Sequence, residues 1–404
     1  MQSPIAVTGI GVVSPLGSGY RNFADSVLHN RSGIKEISVF DTTPYPIKIA
    51  GEIDGFEPER YLPKKGLRSM DRSTRFICAA ALMALQDAQI AVQENNKHRI
   101  GVITGTTFGS LKSISDFDIE SLSSESPLWV NPMDFPKTTI NAPSSNVSIL
   151  TGIMGYNTTI SGGFTSSLEA ISHSIDLLLR KRLDIVLACS VEDLSLQNYL
   201  YHCALQKIAD DGLKTSIPFA GKSEGYLFGE GSVVFVLERL EDVENENRRS
   251  YATITGLGQG FNIGANSSPY NFPQKTLICD VLKQTLESAG MTSGDIKMVS
   301  SCANGWSQYD TAEAQALAEV FKTDPAITAI KSLTGETASA GGGFSLLQAI
   351  VSFREQVIPP ISGLDNPLVP LNYVINEKKM MGVNNALVTS SDPGGSYMGL
   401  IILK

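Results

Sequence analysis

This chain of 404 residues has few histidines, the side chain best suited to moving protons near neutral pH, and all of them lie in its first half. Its four histidines are His29, His98, His173 and His202, so the second half of the chain has none. This excludes a catalytic centre that draws imidazoles from both halves. The five cysteines are scattered and form no Cys-x-x-Cys pair, which indicates reduced thiols and argues against a disulfide or zinc framework.

The composition indicates a folded protein of the cytoplasm. Hydrophobic residues make up 42% of the chain and charged residues 18%, which favours a large core over disorder. The formal net charge of −9 argues against a nucleic-acid partner bound to a basic face. No apolar run approaches the length of about 18 residues that a membrane helix needs, and the first residues show no signal-peptide pattern. We therefore expect cytoplasmic localisation and no membrane contact.

Strand-like apolar runs alternate with helical patterns along the whole chain, and these elements must position any functional side chain. The alternation predicts an α/β sheet whose faces are covered by helices. The predicted strands are Pro4–Ile10, Arg99–Thr104, Leu183–Cys189, Ser232–Leu237, Tyr251–Leu257, Lys297–Cys302, Ala386–Ser390 and Tyr397–Leu403. The predicted helices are Asp71–Ala88, Pro143–Thr151, Thr165–Arg180, Lys275–Ala289, Thr311–Phe321 and Phe344–Phe353. The last two strands flank Asp392–Gly395, which predicts a hairpin.

The length and one polar segment predict two units. At about 100–200 residues per domain, a chain of this length forms two domains or one duplicated unit. Leu240–Ser250 is charged, and the strand pattern that follows it loosely resembles the opening segment Ala6–Val13. We therefore expect an N-terminal half over residues 1–250 and a C-terminal half over residues 251–404. Ser110–Pro136 is predicted to be an insertion that covers a pocket or a partner.

Four motifs occur in an order that is typical of one enzyme family. They are Val7–Gly17, Ser166-Ser167 after a glycine turn, Pro218-Phe219 with Gly225 and Gly229–Ser232, and Lys331–Gly335. Together they resemble the β-ketoacyl synthases of fatty-acid and polyketide assembly, and the resemblance extends over residues 4–403. It implies the thiolase-like fold, a duplicated five-layer αβαβα arrangement that works as a dimer.

The resemblance implies a reaction for which this chain lacks the side chains. In the family, a Cys thiolate at a helix N-terminus takes an acyl chain from a carrier protein, and two His residues assist decarboxylation of a malonyl unit. The matching positions here are Phe164, Asn304 and Glu336. Phe has no lone pair for attack, Asn cannot carry a proton, and Glu brings negative charge where an enolate would form. We therefore expect no catalytic residue at these positions.

Other family positions have also changed. Lys331 is retained, but the carboxylate that pairs with it in active relatives matches Ser345. We expect Lys331 either to pair with Glu336 or to support its loop as a structural residue. The family's Phe-Gly-Phe-Gly-Gly segment, whose first Phe gates the pocket, matches Ser391–Gly395, which lacks the aromatic residue. Cys302 is disfavoured as a replacement nucleophile, because it follows a strand and has no His near it in the sequence.

A ketosynthase-like chain without its nucleophile resembles the chain-length factor, or ketosynthase β subunit, of type II polyketide synthases. That subunit pairs with an active ketosynthase, and the two shape a tunnel that sets product length. We expect tunnel or interface residues within Thr107–Phe117 and Trp129–Thr139, with ordinary dimer packing as the alternative. The candidate side chains are Phe108, Leu111, Ile114, Phe117, Trp129 and Met133.

A basic segment is expected to dock the acidic acyl carrier protein. Six of the sixteen residues from Arg60 to Arg75 are basic, although the chain as a whole is acidic. In relatives this region helps to bind the carrier protein, and a solvated helix face is the alternative. The docking candidates are Lys64, Lys65, Arg68 and Arg72.

The leading hypothesis is a subunit without activity of its own that forms a heterodimer with an active ketosynthase. It would also contact an acyl carrier protein and would need no cofactor or metal. Two alternatives stay open: an independent condensing enzyme or acyltransferase with an altered active site, and a homodimeric scaffold that binds carrier proteins.

Overall fold

A computed structural model describes residues 3–206, 212, 216–262 and 271–404. The helices are α1 (Tyr20–Leu28), α2 (Arg72–Asp87), α3 (Leu111–Ser123), α4 (Ala142–Thr151), α5 (Ser166–Leu179), α6 (Leu196–Gln206), α7 (Leu240–Asn245), α8 (Lys275–Ala289), α9 (Ser307–Val320), α10 (Lys331–Thr334) and α11 (Gly341–Glu355). The longer strands are β1 (Ile5–Ser14), β5 (Ile100–Gly105), β6 (Asn157–Ile160), β7 (Ile185–Glu192), β8 (Gly231–Arg239), β9 (Ala252–Phe261), β14 (Asn385–Ser391) and β15 (Ser396–Leu403). The short strands are β2 (Gly17–Ser18), β3 (Ile34–Glu36), β4 (Ile49–Gly51), β10 (Met298–Ser300), β11 (Ala326–Thr328), β12 (Val357–Ile358) and β13 (Lys379–Met380).

One large mixed sheet runs through the molecule. Its strand order is β11-β10-β14-β15-β9-β1-β8-β7-β5-β6, and β2 pairs with β1. The strands β6, β5 and β7 are parallel at one end, and β11, β10 and β14 are parallel at the other. The two ends meet where β1 pairs antiparallel with both β8 and β9. The sheet therefore repeats one pattern in each half of the chain.

Two helices from different halves lie in the middle of the fold. Helix α5 packs on β5 and β7, α11 packs on β10 and β14, and the two helices contact each other. All residues from Gly341 to Phe353 are buried, as expected for a helix enclosed on every side. Helices α2 and α4 cover the outer face in the first half, and α8 and α9 cover it in the second. The N-terminus of α5 is thereby held deep inside the molecule.

Helix α2 shows how local sequence and packing agree. The Asp71 side chain accepts a hydrogen bond from the Thr74 N–H at 2.9 Å and caps the helix. Small residues then allow a close approach to β1: a Cβ atom on Gly11 would lie 1.8 Å from the Ala80 carbonyl oxygen. Glycine is therefore required at this position in β1.

The predicted strands and helices are present, with shifted ends. The hairpin around Asp392 is confirmed, since β14 and β15 pair antiparallel across it. Helix α9 begins at Ser307, four residues before the predicted start at Thr311. The helices α1, α3, α6, α7 and α10, strand β6 and the short strands other than β10 have no counterpart among the predicted elements. The charged segment Leu240–Ser250 lies between β8 and β9, and its first half forms the short helix α7, which acidic residues in the first turn stabilise.

No described helix is both long and apolar enough to cross a lipid bilayer. The division at residue 250 stays a prediction.

Candidate functional site

Phe164 lies at the centre of the candidate site, in a 3₁₀ turn that precedes α5. Its side chain is 2% exposed. The ring centroid lies 5.9 Å from that of His202 and 6.2 Å from that of Tyr226, and these three residues belong to one buried aromatic cluster. The position expected from the family motif to hold a nucleophile is thus filled by a packed phenyl ring.

His202 is a neighbour of Phe164 that sequence reasoning missed. It lies on α6, and its Nδ1 atom is 2.8 Å from the Tyr226 hydroxyl oxygen. Burial lowers the pKa of His202 to about 3, so its imidazole is neutral at physiological pH. The ring also stacks on Phe228, with 5.2 Å between the centroids. No short-range sequence signal connects His202 with Phe164, because tertiary folding alone brings α6 to this place.

Asn304 and Glu336 are brought together, as the family motifs predict, and they hydrogen-bond to each other. The Asn304 side-chain N–H donates to Glu336 Oε2 at 2.8 Å, and the Asn304 side-chain oxygen accepts from the Trp306 N–H at 3.0 Å. The other Glu336 oxygen accepts from the Ala338 N–H at 3.0 Å. Both side chains are almost fully buried. Their hydrogen-bonding groups are therefore used inside the protein.

Lys331 completes this network. Its ammonium donates to Glu336 Oε2 at 2.7 Å and to the Cys302 carbonyl oxygen at 2.9 Å. Burial by itself would lower the pKa of Lys331, but the attraction of Glu336 outweighs it and the pKa is raised. The structure contains the ion pair between Lys331 and Glu336, one of the two alternatives expected from the sequence, and the bond to the Cys302 carbonyl shows that Lys331 also supports its loop. Lysine and glutamate here neutralise each other's charge.

Asp310 holds the loop that carries Asn304. Its carboxylate accepts three backbone N–H groups, from Phe219 at 2.7 Å, Gly305 at 2.9 Å and Asn304 at 3.0 Å. Burial raises the pKa of Asp310 to about 7, although these hydrogen bonds favour the charged form. Cys302 lies close by in the same loop, and burial raises its pKa well above the usual range. A thiol that stays protonated agrees with its rejection as a replacement nucleophile.

The tunnel candidates fall into three groups. Phe108 reaches the aromatic cluster, because its ring lies 4.7 Å from Tyr201 and 5.9 Å from His202, measured between centroids. The half-buried residues Leu111, Ile114 and Phe117 lie on α3. Trp129 and Met133 lie beyond α3 and are mostly exposed, at 65% and 69%. These last two side chains face solvent and can line a tunnel only when a partner covers them.

The docking candidates are not equivalent. Lys64, Lys65 and Arg68 are exposed and surround Gly66, and none of the three has an ion pair within the part of the chain that the structure describes. Arg72 differs from these three residues, because its guanidinium donates to the buried carboxylate of Glu230 at 2.7 Å. The charge of Arg72 is therefore balanced inside the protein, and its part in docking stays a prediction.

A cavity of about 610 Å³ connects the region below the docking segment with α3. Its lining includes Arg72 and Arg75 from α2 and Lys112 from α3. The segment Asp193–Gln197, which leads from β7 into α6, contributes the opposite side. The regions that the sequence assigned to docking and to the tunnel thus border one cavity.

Comparisons with known proteins cover the whole chain. The beta-ketoacyl synthase N-terminal domain model matches residues 2–243, and the corresponding C-terminal domain model matches residues 251–365. A 3-oxoacyl-[acyl-carrier-protein] synthase 2 from Vibrio cholerae is 30% identical, covering 99% of each chain. The tetracenomycin polyketide synthase ketoacyl synthase beta subunit of Streptomyces glaucescens is 27% identical, covering 100% of this chain and 98% of that protein.

A solved structure shares the same architecture. The ishigamide ketosynthase/chain length factor structure superposes with a TM-score of 0.91 at 24% identity, covering 100% of this chain and 99% of that chain. At this identity the likeness concerns the fold. The expected α/β, thiolase-like fold is thereby confirmed.

Proposed function

The chain belongs to the beta-ketoacyl synthase family, and from that premise we propose that it is a chain-length factor of type II polyketide synthesis. As such it has no condensing activity of its own, pairs with an active ketosynthase in the cytoplasm and shapes the elongation tunnel. The filled site carries the proposal, because Phe164 occupies the nucleophile position and Glu336 is paired with Lys331. The 27% identity to a ketoacyl synthase beta subunit supports it.

An exposed apolar face supports a heterodimer. It extends from α3 through the turn before α4 to β6, and these elements contact one another in succession. Its exposed side chains are Ile119, Leu122, Leu128, Trp129, Met133, Phe135, Ile149, Met154 and Tyr156. Strand β6 is the last strand of the sheet at this end, so its outer edge is free within the described part of the chain. Large apolar patches and free strand edges are usually covered by a partner.

The apolar face fits a ketosynthase subunit of the same fold. Such a subunit would present its own edge strand and its own apolar helix, and the two surfaces would bury each other as a pseudo-symmetric dimer. Phe117 lies on α3 beside this face, with its ring centroid 6.1 Å from that of Phe135. A tunnel that opens at this interface would meet Phe117, and a smaller side chain there would lengthen it.

The proposal is tested by co-expression with a ketosynthase homologue that retains Cys and both His residues. We expect a 1:1 heterodimer in mass photometry, and polyketide formation only when both chains and a loaded acyl carrier protein are present. Replacing Phe117 by Ala should shift the product distribution to longer chains at normal yield. Met380→Ala, at an exposed apolar residue on β13 outside this face, is the control and should leave the product length unchanged.

The alternatives give different results in the same experiment. An independent condensing enzyme would transfer or hydrolyse acyl thioesters as a purified single chain, but the filled site argues against this. A homodimeric scaffold would bind carrier protein and ignore the ketosynthase. Absence of the heterodimer, with a stable homodimer in its place, would contradict the proposed function.

A further inference from the structure

A carboxylate from the C-terminal hairpin reaches the start of α5. The Phe164 N–H donates to Asp392 Oδ2 at 2.8 Å, a contact between residues 228 positions apart. The other carboxylate oxygen accepts from the Gly394 N–H at 2.6 Å. The Ser390 hydroxyl in the same hairpin donates to the Phe164 carbonyl oxygen at 3.0 Å. The hairpin and the turn before α5 are thus fastened to each other at Phe164.

The shape of the turn makes room for this carboxylate. Gly163 has a φ angle of 71°, in the left-handed region that favours glycine. A Cβ atom on Gly163 would lie 2.0 Å from Asp392 Oδ2, a distance that no pair of unbonded atoms tolerates. Asp392 can therefore occupy this place only because residue 163 has no side chain.

The Phe164 N–H is a group that could take part in acyl transfer. A backbone N–H at the start of a helix stabilises the negative charge that develops on a thioester oxygen during acyl transfer. Phe164 stands at the nucleophile position, so its N–H is the group that such an oxygen would approach. Here the Asp392 carboxylate already accepts that hydrogen bond.

We propose that Asp392 fills the oxyanion pocket of this chain from within and closes it to acyl thioesters, independently of the missing nucleophile. The family pattern Phe-Gly-Phe-Gly-Gly has Gly where this chain has Asp392, so the residue that blocks the pocket is an addition. The site is therefore closed twice, once by the ring of Phe164 and once by the carboxylate of Asp392.

The surrounding charges reinforce the block. Glu169 lies one turn into α5, and its Oε1 accepts from the Thr165 hydroxyl at 2.7 Å. Burial and the neighbouring Asp392 raise the pKa of Glu169, and burial and Glu336 raise that of Asp392. Glu336 itself is paired with Lys331. An additional negative charge on a thiolate or an oxyanion would thus be disfavoured.

The test restores a nucleophile with and without the block. The full-length F164C and F164C/D392G chains are treated separately with iodoacetamide and with hexanoyl-coenzyme A, and modification is mapped to residue 164 by peptide mass spectrometry. In acylation, the sulfur of the introduced cysteine forms a new C–S bond to the hexanoyl carbon, and coenzyme A leaves as the thiol with the proton. We expect F164C/D392G to be modified about tenfold faster or more than F164C.

Two further variants keep the result interpretable. F164C/E169Q removes a nearby carboxylate that does not accept the Phe164 N–H, and its rate should stay within about threefold of that of F164C. F164C/D392S replaces the carboxylate by a shorter hydroxyl and should match F164C/D392G, so it serves if the glycine variant unfolds on thermal melting. Equal rates for F164C and both Asp392 variants, or an equal gain from E169Q, would overturn the inference. The test needs no ketosynthase, so its outcome is independent of the heterodimer.

Discussion

The interior around Phe164 and the face formed by α3, α4 and β6 differ in whether their side chains have partners within the chain. In the interior, Lys331, Glu336 and Asn304 satisfy one another, and the aromatic rings pack together. On the face, side chains such as Leu128 and Trp129 remain exposed. Buried side chains can pair with one another within one chain, but an exposed apolar surface of this kind becomes buried only against a second molecule. The buried site is thus complete within the chain, whereas the exposed face has the apolar side chains that the proposed heterodimer would cover.

The first prediction concerns the loss of a charge from the buried network. Lys331→Met leaves the fully buried Glu336 without a counter-charge, and the free energy of unfolding should fall by about 3–5 kcal/mol in urea denaturation. The matched control is Lys112→Met, since Lys112 pairs with Asp116 at the surface and its loss should cost less than about 1 kcal/mol. Equal losses for the two variants would contradict a structural role for the buried pair.

The second prediction breaks the face. Trp129→Asp should weaken the heterodimer by about 2 kcal/mol, roughly 30-fold in Kd, because a charge replaces an aromatic anchor. The melting temperature of the isolated chain should not change. Met380→Asp is the control, since Met380 is as exposed as Trp129, at 69% and 65%, but lies on β13 outside this face. A similar loss of affinity for both variants would remove the face as the interface.

The third prediction concerns how the stability of the protein depends on pH through the buried His202. Burial lowers the pKa of His202 to about 3, whereas an unfolded His has a pKa near about 6.5. Between these values the unfolded state binds more protons, so the stability contribution of His202 decreases as the pH falls below about 6.5. The slope is at most about 1.4 kcal/mol per pH unit.

His202→Phe should lack this slope, so the stability difference between wild type and variant should change between about pH 7 and pH 5 in urea denaturation. His29→Phe is the control, because the His29 side chain is 59% exposed. Parallel stability curves for wild type and His202→Phe would show that His202 is not buried as a neutral ring.

The fourth prediction concerns the docking segment, a third region that is charged and open. Reversing Lys65 and Arg68 to Glu should weaken carrier-protein binding by about 1 kcal/mol, and the effect should shrink at high salt. Arg60→Glu is the control, because Arg60 is already paired with Glu57. A loss that does not depend on salt would argue against electrostatic docking.

The sequence predicted much of the fold and the identity of the altered site, and its errors have physical causes. Continuous apolar runs predicted the long strands, because strands that are buried on both faces, such as β1 and β8, are apolar along most of their length. Helix α3 is absent from the predicted elements, since its polar surface and the exposed face beyond it are not typical of a helix packed on a core. The sequence grouped Arg72 with the docking residues without revealing its partner Glu230, because local charge says nothing of a residue 158 positions away.

From the sequence we predicted that Phe164, Asn304 and Glu336 match the positions of the family's Cys and His residues, because the surrounding motifs specify which position each residue holds. Folding established the contacts that these residues make. It brought His202 and Asp392 to Phe164 and joined Asn304, Lys331 and Glu336 into one network. Hydrogen bonds and packing require atoms to lie close together in space, and residues that are far apart in the chain come close only after folding.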